Sequence, residues 1–243
     1  MRGPRFRQIP GLVWPGQTNV SAPMFRDTNP IFQFHGPWGI PIQIGASLFL
    51  LPLILIDFGG STRAFAFDIM FFLILLGSIF LHELGHAWGN LIQGVPVKRI
   101  MLYGGGGFCE RTRSATRYEQ ELIVAMGPIV TLVLWAVAGL IAPQIEDPEI
   151  AWVFYMISSV NGFLAILNLL PVQPLDGGKL FELMLHRIFP ARLAFMIAGA
   201  TGLLFAVAWL PLMFWGFVSY GFVLFFVPSV LVHWQMLKGA SRA

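Results

Sequence analysis

The sequence predicts an all-α membrane protein with about six transmembrane helices, and three observations support that fold class. Of the 243 residues, 56% are hydrophobic and only 11% are charged, whereas soluble domains carry about 25% charged residues. Apolar runs near the ~20 residues that a helix needs to cross the hydrocarbon core recur along the chain. Fourteen of the 15 lysines and arginines also fall in segments that this arrangement places on one side of the bilayer.

The apolar runs mark six predicted spans. The fifth and sixth are separated only around residues 209–211, which predicts a tight hairpin between them. The spans are residues 40–56, 65–92, 122–142, 150–170, 193–210 and 212–232. An even number of spans puts both ends of the chain on the same side.

The distribution of basic residues gives the orientation. Arg63 is the one basic residue on the opposite side, where the second loop, QIEDPEI, is acidic. By the positive-inside rule the basic side is cytoplasmic, so we expect both termini in the cytoplasm and the protein in the plasma membrane. The predicted organisation is a cytoplasmic leader at 1–38, one polytopic domain at 39–237 with its core at about 65–190, and a cytoplasmic tail at 238–243.

The second predicted span contains the stretch FLHELGHAWG, with three protonatable side chains in an apolar run. His82 and His86 are four residues apart, so they share one face of a helix, and Glu83 lies beside that face. In this HExxH arrangement two imidazoles bind zinc and the carboxylate reaches a water at the metal. Strongly polar side chains at mid-span cost at least ~2.5–3.5 kcal/mol, so they are usually functional or paired. The alternative is an interhelical hydrogen-bond cluster.

A third zinc ligand is expected from the stretch NLLPVQPLDGGKLFELMLHRI, because catalytic zinc sites use three protein ligands and a water. Pro171 and Pro174 end the fourth predicted span near its cytoplasmic end, and Asp176 follows them. The histidines also lie toward the cytoplasmic end of their span, so Asp176 can meet them there. The alternative is that Asp176 caps an amphipathic helix beginning near Lys179.

These motifs, in this order and membrane setting, resemble the site-2 protease family, the intramembrane zinc metalloproteases of peptidase family M50, in a minimal form without PDZ or CBS domains. The segments PVKRIMLYGGGGF and AMGPIVT are similar to further elements of that family. Thr131 stands where the family often has asparagine. The site residues that the resemblance implies are zinc ligands at His82, His86 and Asp176, a catalytic base at Glu83 and a substrate-binding side chain at Asn161. The alternative role of Asn161 is hydrogen bonding between helices.

The implied activity is hydrolysis of a peptide bond within or near the transmembrane segment of a membrane-protein substrate, with one zinc ion per chain and release of a cytoplasmic fragment. The expected partners are that substrate, the lipid bilayer and a regulatory membrane protein, but no nucleic acid. Residues 104–107, four glycines, form either a re-entrant β-hairpin, as the resemblance implies, or a flexible loop. An edge strand of such a hairpin could capture an unwound substrate by β-augmentation.

Three rival functions share some of these features. An ion or proton transporter would also bury a His/Glu/Asp relay and a broken helix, but no matching second half is visible in the sequence. A ferrous-iron oxygenase would keep two histidines and a carboxylate, whereas Glu83 between the histidines favours hydrolysis. A non-catalytic scaffold would have little reason to hold four protonatable groups in ligand spacing.

Overall fold

A computed structural model describes residues 29–220 and 227–242. Seven α-helices occur in this part of the chain: α1 (Leu50–Leu55), α2 (Thr62–Ile92), α3 (Arg117–Ile141), α4 (Pro148–Asn168), α5 (Asp176–Ile188), α6 (Ala191–Tyr220) and α7 (Val230–Arg242). Among them, α2, α3, α4 and α6 are long and apolar enough to cross a membrane. The protein is thus an integral multi-pass membrane protein with four candidate spans in its described residues, rather than six.

A small four-stranded sheet accompanies the helices, so the fold is mostly helical rather than all-α. Its strands are β1 (Pro30–His35), β2 (Pro41–Gly45), β3 (Val97–Tyr103) and β4 (Gly106–Arg111), and they lie in the order β1-β2-β3-β4. The β1/β2 and β3/β4 pairs are antiparallel, whereas β2 and β3 are parallel. The sheet therefore joins the N-terminal part of the described chain to the segment that follows α2.

The glycine-rich segment forms the β3–β4 hairpin rather than a flexible loop. Gly106 has φ +127°, a conformation that side-chain-bearing residues rarely adopt. A Cβ on Gly104 would lie 2.5 Å from the Ser47 carbonyl oxygen, and the Gly104 N–H donates to Ser47 Oγ over 2.9 Å. A positive φ and a close backbone approach explain these two glycines, and the hairpin prediction is confirmed. Its position relative to the bilayer stays a prediction.

The first predicted span, residues 40–56, does not form a spanning helix. It divides into β2, a 3₁₀-helix at Ala46–Phe49 and the six-residue α1, and six residues cover only about 9 Å at a rise of 1.5 Å each. Leu48 and Leu51 are buried in an apolar cluster with Ile100, against which α2 residues such as Leu76 and Leu84 pack. The apolar run therefore reflects packing on α2 and the sheet, and backbone pairing in β2 takes the place of helical hydrogen bonds.

The predicted hairpin between the fifth and sixth spans is also wrong, because α6 continues through Pro211 to Tyr220. A proline is tolerated within a membrane helix when neighbouring groups satisfy the carbonyl that it leaves free. The sixth predicted span, 212–232, partly falls on residues 221–226, which lie outside the described residues, as does most of the predicted leader. After that gap α7 packs along α6, where Gly199 and Gly202 approach His233.

Close helix contacts bring the second predicted span against its neighbours at the level of the HExxH motif. A Cβ on Gly85 would lie 2.6 Å from the Met126 carbonyl oxygen, and one on Gly89 would lie 3.0 Å from Ile123 Cα. These glycines let α2 and α3 approach each other closely beside the histidines. A capping box at Thr116 fixes the start of α3, which sets the residues that face α2.

Candidate metal centre

His82 and His86 lie on one face of α2, and both side chains are nearly buried. Their Nε2 atoms are 3.1 Å apart. The His86 Nδ1–H group donates a hydrogen bond to the Ile123 carbonyl oxygen of α3 over 2.8 Å. This contact orients the ring and leaves the Nε2 lone pair free for a metal, the arrangement usual for histidine ligands. The helical spacing in the sequence predicted this shared face.

Asp176 comes from α5 to the same point. Its Oδ2 atom lies 3.0 Å from His82 Nε2 and 3.2 Å from His86 Nε2. The helix begins at Asp176 and its N-cap residue is Leu175, without a side-chain cap hydrogen bond. Asp176 is therefore not an N-cap, and its carboxylate is directed to the imidazoles. The structure brings together the three side chains that the two sequence motifs singled out.

Two glycines allow the turn that delivers Asp176. A Cβ on Gly177 would lie 2.2 Å from the Leu169 carbonyl carbon, and one on Gly178 would lie 2.5 Å from the Val172 carbonyl carbon. No side chain fits at these distances, so the start of α5 can rest on the end of α4 only where both residues lack a Cβ. The position of the Asp176 carboxylate depends on this contact.

The three converging atoms fit a zinc ion. Zinc bonds of about 2.0–2.2 Å in a tetrahedron separate the ligand atoms by roughly 3.3–3.5 Å. The observed separations of 3.0, 3.1 and 3.2 Å fall short of that by a few tenths of an ångström. Two imidazoles and one carboxylate are also a donor set that catalytic zinc sites use. The residues present therefore suit zinc with a small outward movement.

Glu83 lies on the turn of α2 that carries His82, and its side chain is buried. His82, Glu83 and His86 each offer a ligand atom within 4.8 Å of the others. A Cβ on Gly107 of β4 would lie 2.6 Å from Glu83 Cγ, so the hairpin covers this carboxylate. The predicted base thus lies beside the candidate metal position, under the strand of the glycine-rich segment.

Gly127 of α3 closes the other side of the site and was not predicted to contact it. A Cβ there would lie 2.4 Å from His86 Nε2 and 2.8 Å from His82 Cε1. The signals in the sequence are the resemblance of AMGPIVT to a family element and a glycine next to Pro128 in an otherwise apolar span. Contact with the histidines appears only once α3 is packed on α2.

Asn161 lies on α4 and bonds to α2 one turn before His82. Its Nδ2 group donates to Ser78 Oγ over 2.9 Å and to the Ile157 carbonyl oxygen over 2.8 Å. Both N–H donors are therefore occupied in a helix-to-helix contact. The substrate-binding role of Asn161 stays a prediction. To donate a hydrogen bond to a substrate, its amide would have to release one of these two bonds. Thr131 is also buried, and its hydroxyl donates to the Pro128 carbonyl oxygen of its own helix over 2.9 Å.

Asn90 and Cys109 connect the end of α2 to β4. The Asn90 Nδ2 group donates to the His86 carbonyl oxygen over 2.8 Å and contacts Cys109 Sγ at 3.8 Å. Burial raises the pKa of the Cys109 thiol to about 12, so the thiol stays protonated and unreactive at neutral pH. The cysteine therefore acts as a small packing group of β4, against the apolar cluster that includes Ile100.

This chain is similar in sequence and in fold to known proteins. The sequence profile of peptidase family M50 matches residues 70–146 and 137–209. A putative zinc metalloprotease of Synechocystis sp. is 31% identical over 62% of this chain and 43% of its own length. Stage IV sporulation protein FB of Bacillus subtilis is 30% identical over 68% of this chain and 54% of its own length.

A solved structure with a similar fold is the site-2 protease from Methanocaldococcus jannaschii. It superposes with a TM-score of 0.60 at 24% identity and covers 87% of this chain and 94% of its own. A zinc metalloprotease of the same organism is 28% identical over 78% of this chain and 55% of its own length. The chain thus spans about half the length of the relatives that it matches by sequence.

Proposed function

Because this chain belongs to peptidase family M50, we propose that it is an intramembrane zinc metalloprotease. Its substrate would be a membrane protein, cleaved at a peptide bond within or near a transmembrane segment. The observation that carries this proposal is the convergence of two imidazoles and one carboxylate at separations of 3.0–3.2 Å. The second carboxylate, on Glu83, lies beside them in candidate spanning helix α2.

His82 Nε2, His86 Nε2 and Asp176 Oδ2 would hold one zinc ion per chain. When bound, zinc supplies a Lewis acid that polarises the scissile carbonyl and makes water more acidic. Three protein ligands leave one position for water or substrate, which distinguishes catalytic from structural zinc sites.

Glu83 would act as the general base. Its carboxylate would take a proton from the attacking water and pass it to the leaving amine nitrogen. Glu83 contributes none of the three converging atoms, so its carboxylate oxygens stay available to the attacking water. The cover that Gly107 provides holds this side chain close to the histidines.

We propose that β4 receives the substrate. A helical substrate hides its peptide bonds in its own hydrogen bonds, so the segment to be cut must be extended. Among the described strands β4 forms one edge of the sheet, and Gly107 of that strand lies against Glu83. A peptide that adds to this edge by β-augmentation would run past the base and the metal ligands.

The proposed orientation puts both termini and the site toward the cytoplasm, in the plasma membrane. His82 lies about ten residues before Ile92, the end of α2, which is about 15 Å at 1.5 Å per residue. Cleavage would therefore fall in the cytoplasmic part of the substrate helix and release a cytoplasmic fragment. Mass spectrometry of the new terminus tests this, and a cut in the outer half of the substrate helix would contradict the orientation.

The test of function compares Glu83→Gln with Asp176→Asn in purified, detergent-solubilised protein. We expect Glu83→Gln to keep its zinc and lose nearly all cleavage of a transmembrane substrate that contains a helix-breaking residue. Asp176→Asn should lose both zinc and cleavage, because it weakens one of three ligands. Glu149→Gln is the matched control, since Glu149 lies in an exposed ion pair with Arg63. Elemental analysis measures zinc, and near-parent cleavage by Glu83→Gln would refute the proteolytic mechanism.

A further inference from the structure

We propose that His233 of α7 is a positioning residue for the turn that carries Asp176, and that it sets the zinc affinity of the site. The inference rests on the proposed function, since it takes Asp176 to be a zinc ligand. His233 is fully buried and belongs to a helix that supplies none of the three converging atoms. It would act on the metal only through the backbone between α4 and α5.

The contact is a hydrogen bond from the turn to the imidazole. The backbone N–H of Gln173 donates to His233 Nε2 over 3.2 Å, and Gln173 lies three residues before Asp176. The turn contains Pro171 and Pro174, which have no N–H groups and cannot contribute to a regular ladder. Val172 and Leu175 donate their N–H groups to carbonyl oxygens within the turn, those of Leu170 and Val172. The N–H group of Gln173, between them, is instead accepted by another helix.

The imidazole is itself held against α6. A Cβ on Gly202 would lie 2.1 Å from His233 Cε1 and 2.2 Å from Nδ1, so the ring rests directly on the α6 backbone. Burial lowers the pKa of His233 below its ordinary value, which keeps the ring neutral and its Nε2 lone pair available as an acceptor. A fixed, neutral ring is a rigid support for the Gln173 N–H group.

The side chain of Gln173 is held as well. Its Nε2 group donates to Glu182 Oε2 over 2.8 Å, and Lys179 Nζ lies 2.8 Å from Glu182 Oε1. Glu182 is buried on α5, the helix that Asp176 begins. Gln173 thus connects α7 to α5 across the turn, through its backbone on one side and its side chain on the other.

This connection matters for metal binding because ligand distances tolerate only about ±0.2 Å. Groups that orient metal ligands from behind typically change metal affinity by about 10–100-fold when they are removed. A buried histidine that merely packs α7 on α6 would instead affect folding and leave zinc affinity unchanged. The two roles are separable by measurement.

The experiment compares His233→Met with His233→Gln in the full chain. Glutamine places an acceptor oxygen near the position of Nε2, whereas methionine of similar length offers only a weak sulfur acceptor. Met236→Ala is the packing control, because Met236 is buried in the apolar cluster that α7 forms with α6 and with Leu185 of α5. It takes no part in the hydrogen bond between Gln173 and His233. Zinc affinity is measured by competition with a chelator, and thermal unfolding is measured on metal-free protein.

We expect His233→Met to bind zinc at least ~10-fold more weakly than the parent and His233→Gln to recover most of that loss. Met236→Ala should unfold at a lower temperature and keep the parent zinc affinity. Parent-like zinc affinity in His233→Met would overturn the inference, as would equal losses in the methionine and glutamine variants. If His233→Met does not fold, Gln173→Leu is the second variant, because it removes the hydrogen bond from the Gln173 side chain to Glu182. It should weaken zinc binding to a similar extent. Unchanged zinc affinity in Gln173→Leu would also overturn the inference. A parent chain that binds no zinc would instead refute the proposed function.

Discussion

Gly127→Ala should strongly weaken zinc binding without removing any of the three converging side chains. The added Cβ would lie 2.4 Å from His86 Nε2, whereas non-bonded heavy atoms sit comfortably at about 3.5 Å. The imidazole nitrogen must therefore move by about 1 Å, roughly five times the ±0.2 Å by which ligand distances vary. Removal of a group that only orients a metal ligand typically lowers metal affinity by about 10–100-fold, so direct displacement of a ligand should lower zinc affinity at least ~100-fold.

The alternative response is a retreat of α3 from α2, and the structure makes it costly. Gly85 and Gly89 hold the two helices in close contact on either side of His86, so separation would open both contacts. Overpacking of this kind typically costs about 1–3 kcal/mol of stability. In either case the His86 Nδ1–H bond to the Ile123 carbonyl oxygen would be disturbed.

Gly77→Ala is the matched control, because a Cβ at Gly77 of the same helix α2 meets nothing within 4 Å. This variant should bind as much zinc as the parent. Its free energy of unfolding should rise by about 0.5–1 kcal/mol, since alanine is a better helix former than glycine. Elemental analysis and chelator competition give the zinc stoichiometry and affinity of both variants. A Gly127→Ala protein that binds one zinc ion with parent affinity would refute the idea that this glycine keeps α3 clear of the ligands.

Three further predictions concern the base, the asparagine and the orientation. Gly107→Ala should keep zinc but lower kcat at least ~10-fold, because the three atoms nearest to its Cβ all belong to Glu83, which it would displace. A parent-like kcat contradicts this. If the bond between Asn161 and Ser78 is structural, Asn161→Ala and Ser78→Ala should lower the melting temperature by similar amounts. Their coupling energy in a double-mutant cycle should then be about 0.6 kcal/mol. A loss of kcat confined to Asn161→Ala would instead support substrate binding. Asp147→Cys, at the start of α4, should react with a membrane-impermeant reagent from outside the cell, and labelling only from the cytoplasm would reverse the orientation.

The side chains of the site were predictable because each carries its own local signal. Spacing of four residues places His82 and His86 on one helical face, and Pro174 followed by two glycines marks a turn wherever it occurs. Asp176 could be joined to the histidines because both motifs lie toward the same end of their spans. Gly127 gives no such signal, since its importance depends on which residue of a neighbouring helix faces it.

The errors in the predicted fold arose where the environment, rather than composition, decides the structure. An apolar run of 17 residues has the same composition whether it crosses the bilayer alone or packs on α2 as a strand and a short helix. The β1 strand exposes apolar side chains such as Ile31 and Phe32. By composition alone, it cannot be distinguished from a segment that faces lipid. A proline usually ends or kinks a helix in a soluble protein. The helix α6 continues through Pro211, because the cost of the missing backbone hydrogen bond depends on the surroundings.

The site also links metal binding to assembly of the fold, because its parts come from different elements. The imidazoles belong to α2 and the Asp176 carboxylate to α5, whereas Gly107 of β4 covers Glu83 and Gly127 of α3 leaves room for the histidines. Zinc that binds only this assembled arrangement would stabilise it by about 2.7 kcal/mol at a free concentration 100 times the dissociation constant. Gly127→Ala, with zinc affinity at least ~100-fold lower, should therefore lose most of the rise in melting temperature that zinc gives the parent. His233→Met, at ~10-fold lower affinity, should lose about half of it. Asn161 bonds to Ser78 and to Ile157 rather than to a converging side chain, so Asn161→Ala should lower the melting temperature by the same amount with and without zinc.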